Sequence, residues 1–189
     1  ATTEIYTLSL HDALPIITLS TGTRDAGDMW RTHPDNQSPA AWTDLLASIA
    51  AAVQMAEAVG VTLAFEPEVS NVVDSAARAR RLLDEIRSPQ LKVVMDAANL
   101  FHAGELPHMT RILHEAFDLL GDDIVLTHAK DLSHDGAAGQ EAAGQGVLDY
   151  DLYVRLLNAS GYRGPLILHG LREAQVDGSV TFLRQKLGQ

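Results

Sequence analysis

Apolar positions along this chain come in two forms: short β-rich runs of a few residues, and longer stretches in which they return every three or four positions. Ile17 to Ser20 is the first short run. It leads through polar residues 21–38 into a helix expected over Pro39 to Val59, with Ser38 as N-cap and Gly60 as stop. The buried stripe of that helix is read as Leu45, Leu46, Ile49, Val53, Met55 and Ala56. A strand Val61 to Phe65 follows, then a helix capped by Asp74 and reaching Ile86, and a strand Leu91 to Met95. Next come a helix Pro107 to Leu120 closed by Gly121 and a strand Ile124 to Thr127. A Gly- and Ala-rich loop from Ser133 to Val147 separates these from a helix Asp151 to Ala159, a strand Pro165 to Leu168 and a last helix Val180 to Leu187.

Strands this short and this apolar are covered on both faces, which is the signature of a parallel sheet. Five βα units begin at Ile17, Val61, Leu91, Ile124 and Pro165, whereas a complete barrel of this kind has eight. The expected fold is therefore α/β, a (β/α)8 TIM barrel present as a C-terminal fragment of five βα units. Unpaired edges at the Ile17 and Pro165 strands would favour association, so a homo-oligomer is left open. Residues 1–16 break the pattern. They lack the basic start and apolar core of a secretory signal, carrying Glu4, His11 and Asp12 instead. The stretch YTLSLHDALPI at 6–16 resembles translated sequencing adaptor. Residues 1–16 are accordingly expected to be a non-native segment, and 17–189 a partial barrel domain.

Composition narrows the partners. With 46% hydrophobic and 21% charged residues the chain is that of a globular protein, and it has no apolar run near the roughly 20 residues of a spanning helix. A formal charge of -11 repels polyanions, so nucleic acid is not expected as a partner, and neither is a membrane. The Arg78, Arg80, Arg81 cluster reads as a solvated helix face. Absence of cysteine rules out disulfides and thiolate chemistry and suits a reducing, cytoplasmic setting.

Candidate chemistry sits where the apolar runs stop: Glu66, Asp96, His128 and His169, at intervals of 30, 32 and 41 residues. In parallel α/β folds functional groups gather at the carboxyl ends of the strands, so residues far apart in sequence can converge. A divalent cation that polarises a carbonyl or hydroxyl needs several anionic or imidazole ligands with a position left open, and these residue types supply them. Lys130, two residues beyond His128 on an extended chain, falls on the same side and offers a cation to substrate, with a surface pair to Asp131 as the alternative. His102, His108, His114 and His134 read as ordinary loop or helix residues.

The segments LAFEPE at 63–68, VVMDAANLF at 93–101, THAKD at 127–131 and GQGVLDYDLYVRLLNASGYRGPLIL at 144–168 together resemble the xylose isomerase-like TIM barrels, a superfamily of sugar isomerases and epimerases that includes endonuclease IV and inosose dehydratase. The resemblance implies Glu66, Asp96 and His128 as metal ligands, with Glu66 also a possible base. Asn99, where some members carry a histidine, is read as orienting substrate or binding metal weakly; Glu68, two residues from Glu66, is read as a second base or substrate contact, with a loop residue turned outward as the alternative. Glycines 144 and 146, with Asp149 and Tyr150, match the loop that follows the HxKD strand. The chain departs from the pattern at the last strand, where the epimerases usually carry a second glutamate that binds metal and transfers protons. Here that position holds His169. As a ligand it would leave two carboxylates and two neutral imidazoles, favouring Mn, Zn or Co over Mg; as an acid-base group it titrates near neutral pH. The expected function is a divalent-metal-dependent sugar or sugar-phosphate isomerase or epimerase, acting on a small carbohydrate by proton abstraction next to a carbonyl. The alternatives are a dehydratase-type lyase, an endonuclease IV-like phosphodiesterase and a sugar-binding barrel without turnover.

Overall fold

The computed structural model describes residues 15–188. The segment read as foreign, 1–16, therefore lies outside the described residues except for Pro15 and Ile16. Parallel strands β1 (Ile16–Ser20), β2 (Thr62–Glu66), β3 (Leu91–Asp96) and β4 (Ile124–Asp131) pair in sequence order, and β4 pairs in parallel with the last strand. Between them a two-residue strand β5 (Glu141–Ala142) folds back antiparallel onto Lys130 and Asp131 of β4, and the last strand is β6 (Leu166–Leu168). Helices α1 (Pro39–Val59), α2 (Ala76–Ile86), α3 (Met109–Leu120), α4 (Tyr150–Ala159) and α5 (Val176–Lys186) alternate with the strands. Five parallel strands with intervening helices make a partial TIM-type barrel, as the pattern predicted.

The long first helix follows the sequence closely. The Ser38 hydroxyl accepts from the Ala41 N–H at 3.1 Å, Pro39 occupies the first turn, and Gly60 ends the helix in a left-handed conformation. Leu45, Ile49, Val53 and Ala56 are buried, but Met55 is 67% exposed. It follows Val53 by two positions, about 200° around the helix, and so leaves the stripe. The cap of α2 is Ser75, not Asp74: the Ser75 hydroxyl accepts from Arg78 N–H, while the Asp74 carboxylate takes the Gln37 amide. Gly121 does not stop α3 in a left-handed turn but continues into a 3-10 turn, Gly121–Asp123. β4 runs to Asp131 rather than stopping at Thr127, because β5 supplies partners for its last two residues.

The core lies between the helices and one face of the sheet. Phe65 of β2, Val93 and Met95 of β3, Leu82 and Leu83 of α2, Leu113 and Phe117 of α3 and Tyr153 of α4 belong to it. Alternation along a strand then turns Glu66, Val94 and Asp96 to the opposite, barrel-interior side. The arginines of α2 are engaged rather than merely solvated: Arg81 lies over the Trp42 ring at 4.2 Å, and Arg80 reaches Asp84 and Asp123 at 2.8 Å each. No helix among the described residues is long and apolar enough to cross a membrane.

The loop after β4 is tied down by one buried carboxylate. Asp131 Oδ1 accepts from the N–H groups of Leu132 and Leu148 at 2.9 Å each, and Oδ2 from Gly144 N–H at 3.1 Å. Gly146 lies against this carboxylate, where a Cβ would come within 2.4 Å of Asp131 Oδ1 and 2.3 Å of the Leu132 carbonyl. Gly146→Ala should therefore lower the unfolding free energy by about 1–3 kcal/mol in urea titration. An unchanged midpoint would contradict this packing of the loop.

Candidate metal centre

Each of β2, β3 and β4, and the residue after β6, contributes one side chain to a cluster on the barrel-interior face. Asp96 pairs in register with His128, and residues side by side in a ladder share a face, so carboxylate and imidazole meet. This pairing depends on an irregularity. Val93 pairs with Ile124 whereas Val94 pairs with Leu126, so β4 accommodates Val125 as an extra residue and the strands realign beyond it. Glu66 is the last residue of β2. His169 follows β6 and is held by its own N–H, which donates to the Ala129 carbonyl at 3.2 Å.

Asp96 is the centre of the cluster. Its side chain is fully buried; Oδ1 accepts from Ala98 N–H at 3.1 Å, and Oδ2 lies 3.0 Å from Lys130 Nζ, 3.4 Å from His128 Nδ1 and 3.9 Å from His169 Nδ1. His128 Nδ1 also stands 3.3 Å from Glu66 Oε2. The His169 ring stacks on His128 with centroids 4.4 Å apart and planes 12° from parallel. One ligand atom each from Asp96, His128 and His169 lies within 4.8 Å of the other two. Short as these separations are, Asp96 Oδ2 and His128 Nδ1 have no aligned hydrogen-bond partner, although both are buried. Lys130 supplies charge to the carboxylate oxygen without an aligned hydrogen bond, and the buried ring nitrogen facing that oxygen has no partner, which is costly. A divalent cation between them would satisfy both, so the residues fit a metal.

Glu66 stands at the edge of that triad. Its Oε1 accepts from the Asn99 amide while Oε2 faces His128. Asn99, buried in the turn after β3, accepts from Gly139 N–H at 3.0 Å through Oδ1, linking Glu66 to the loop that follows β4. Lys130 projects to the same face as His128, as its spacing predicted, and is 5% exposed. Its ammonium pairs with Asp96; Asp131 is occupied by the loop amides described above. Gly170 leaves room for this lysine, since a Cβ there would come within 2.9 Å of Lys130 Cδ. Glu68 is placed differently. Its oxygens accept from Ser70 N–H at 2.8 Å and from the Asn71 amide, inside the β2–α2 turn. Burial pushes its carboxyl up, opposed by the Ser70 hydrogen bond.

Two residues escaped the sequence-based selection of site residues. Tyr150 donates to the Lys130 carbonyl at 2.9 Å, and the Tyr153 hydroxyl lies 3.1 Å from the Met95 carbonyl and 3.2 Å from the His128 carbonyl. The signal was the Tyr-Asp-Leu-Tyr stretch opening α4: two tyrosines three apart on a core-facing helix each require a polar partner for the hydroxyl.

The charges are interdependent. Burial alone would push the Asp96 carboxyl up, but the His128 imidazole and Lys130 ammonium hold it below the usual carboxylate range. Burial pulls His128 down, yet the Asp96 and Glu66 carboxylates outweigh it and raise its pKa to about 9. His169 shifts the other way: burial lowers it, and the positive His128 and Lys130 add to the effect. In the metal-free chain the raised His128 pKa stabilises the fold fully below about pH 6.5, the unfolded value, and that stabilisation is lost as pH rises through about 9. Thermal melts of metal-free protein should fall across that interval, and His128→Asn should flatten the slope. A wild-type melting temperature that rises there would contradict the sign.

No curated protein sequence matches the chain. Among solved structures, a D-tagatose 3-epimerase-like protein superposes with a TM-score of 0.71 at 14% identity, covering 92% of this chain and 62% of that one. A 3-keto-D-glucoside 4-epimerase from E. coli gives 0.62 at 21% identity, with 89% and 63% covered. A xylose isomerase-like TIM barrel protein from Mycobacterium smegmatis in complex with magnesium gives 0.67 at 16% identity, with 97% and 64% covered. The chain thus spans roughly three-fifths of the length of these structures. At such identities the likeness establishes the fold. The sequence model of the xylose isomerase-like TIM barrel family matches residues 14–186, and the chain belongs to that family.

Proposed function

We propose that this chain carries the metal-binding part of the active site of a divalent-metal-dependent isomerase or epimerase acting on a small sugar or sugar phosphate. The observation that carries the proposal is the convergence of Glu66, Asp96, His128 and His169, two of whose buried ligand atoms, Asp96 Oδ2 and His128 Nδ1, lack an aligned hydrogen bond. Epimerases among the structural neighbours support the same reaction class. Asp96, His128 and His169 would hold the metal with Glu66 beside them, and the bound ion would polarise the substrate carbonyl as a Lewis acid. Two imidazoles in the set favour Mn, Zn or Co over Mg. A neighbour binds magnesium, so metal preference is where this chain's histidine substitution would show.

The remaining chemistry falls to the chain's own groups. Lys130, buried beside Asp96, offers an ammonium that can donate to a substrate hydroxyl, carbonyl or phosphate. Asn99 keeps one Glu66 oxygen engaged and leaves the other directed at the cluster. His169 is the exposed member, with 51% of its side chain accessible, and burial together with the positive His128 and Lys130 favours its neutral form. A neutral imidazole has its one lone pair free for the ion, and Glu66 Oε2, directed at the cluster, can take the proton from the carbon next to the carbonyl and return it to the neighbouring position. Dehydration of a cyclic polyol ketone begins with the same proton abstraction and needs only one base and one acid. His169 in place of a second carboxylate therefore keeps a lyase as the second reading. A phosphodiesterase acting on nucleic acid is disfavoured by the charge of -11.

The test combines metal analysis of the purified protein with a turnover screen over ketoses, their phosphates and inososes, with each of Mn, Co, Zn and Mg. Asp96→Asn should weaken metal binding by more than about 100-fold, because loss of outer-shell partners alone costs roughly 10–100-fold. A wild-type protein that holds no divalent ion at any of these metals would sink the proposal.

A further inference from the structure

We propose that Tyr153 is a positioning residue for the metal centre: its hydroxyl clamps the ends of β3 and β4 at the spacing that lets Asp96 and His128 present their ligand atoms to one another. The inference rests on the metal-centre reading above.

Tyr153 stands on α4, across the sheet from the cluster, and its side chain is fully buried. Its hydroxyl lies 3.1 Å from the carbonyl of Met95, which precedes Asp96, and 3.2 Å from the carbonyl of His128 itself. One proton is shared between two acceptors on two strands, so both strands are referred to a single atom. The place matters because of the irregularity at Val93 and Val94, beyond which β3 and β4 must realign to bring Asp96 beside His128. Only three register pairs, Val94 with Leu126, Met95 with Thr127 and Asp96 with His128, hold the strands together after it, and Tyr153 bonds at the last two of those levels. The ring is set by edge-on contacts with Phe117 and Tyr150, each at 6.0 Å between centroids. Tyr150 in turn anchors the Lys130 carbonyl, so α4 fixes the backbone of both β4 residues that approach Asp96.

Tyr153→Phe removes the hydroxyl and keeps the ring. Its Mn and Co affinity, measured by calorimetry on the full chain, should fall by about 10–100-fold, and the visible spectrum of bound Co should shift. Leu83→Ala removes buried apolar bulk from α2, on neither clamped strand nor α4; it should lower stability but keep wild-type affinity and an unchanged Co spectrum. In metal-free protein, amide exchange at residues 95–98 and 127–130 should quicken in Tyr153→Phe, relative to the rest of the sheet, and not in Leu83→Ala. That readout separates failure of the clamp from failure of the metal-centre reading. If Tyr153→Phe does not fold, 3-fluorotyrosine at position 153 nearly keeps the shape while altering the donor, and the Co spectrum should still move. Wild-type affinity and spectrum in the proteins altered at position 153, or equal loss of metal in Leu83→Ala, would overturn the proposal.

Discussion

A carboxylate with no access to water must be surrounded by compensating charge, and the strand-end cluster is arranged around that requirement at Asp96. The backbone N–H of Ala98 satisfies one oxygen; the other faces Lys130, His128 and His169 from three directions. None of those cations or imidazoles could be there without the register of β3 against β4. The extra residue Val125 keeps Asp96 beside His128 rather than one residue out of step, and in a strand one residue is the difference between the barrel interior and the helix side. The chemistry of the site and the geometry of the sheet are thus set by the same few backbone pairings.

The supporting structure is built outward from this pair. Lys130 reaches Asp96 because Gly170 leaves space for its stem, and its backbone is pinned by Tyr150. Glu66 is oriented by Asn99, which is itself held by the loop after β4. That loop keeps its path because Asp131 accepts three of its amides and Gly146 has no side chain to push it away. The one member without such support is His169, which rests on the His128 ring and is open on its outer side. A ligand that must stand where substrate enters is well placed at the exposed edge, and the rigid members are well placed beneath it.

Much of this was legible in the sequence, and for identifiable reasons. Glu66, Asp96 and His128 could be brought together from sequence alone because each ends or follows a buried apolar run, and parallel strands carry such positions to one rim. Lys130 followed from the two-residue period of a strand. The extent of β4 was not legible, because its last residues are polar and their pairing partner is a two-residue strand with no pattern of its own. Asp74 and Ser75 are both good caps, and only the capture of the Asp74 carboxylate by Gln37, a residue from another loop, decides between them. Glu68 looked equivalent to Glu66 by spacing. The difference is made by Ser70 and Asn71, whose N–H groups turn its carboxylate into the loop. The Tyr-Asp-Leu-Tyr stretch shows that Tyr153 needs a polar partner, but which backbone carbonyls it reaches carries no sequence signature.

The central claim is that Asp96 and the two histidines, with Glu66 beside them, bind one divalent ion. X-ray absorption at the metal edge of the chain loaded with one equivalent of zinc addresses it most directly. The account predicts a first shell of nitrogen and oxygen, with zinc–nitrogen distances of about 2.0–2.1 Å and the outer-shell scattering of two imidazoles, one of which disappears in His169→Ala. A shell of oxygen alone, without imidazole scattering, would contradict it.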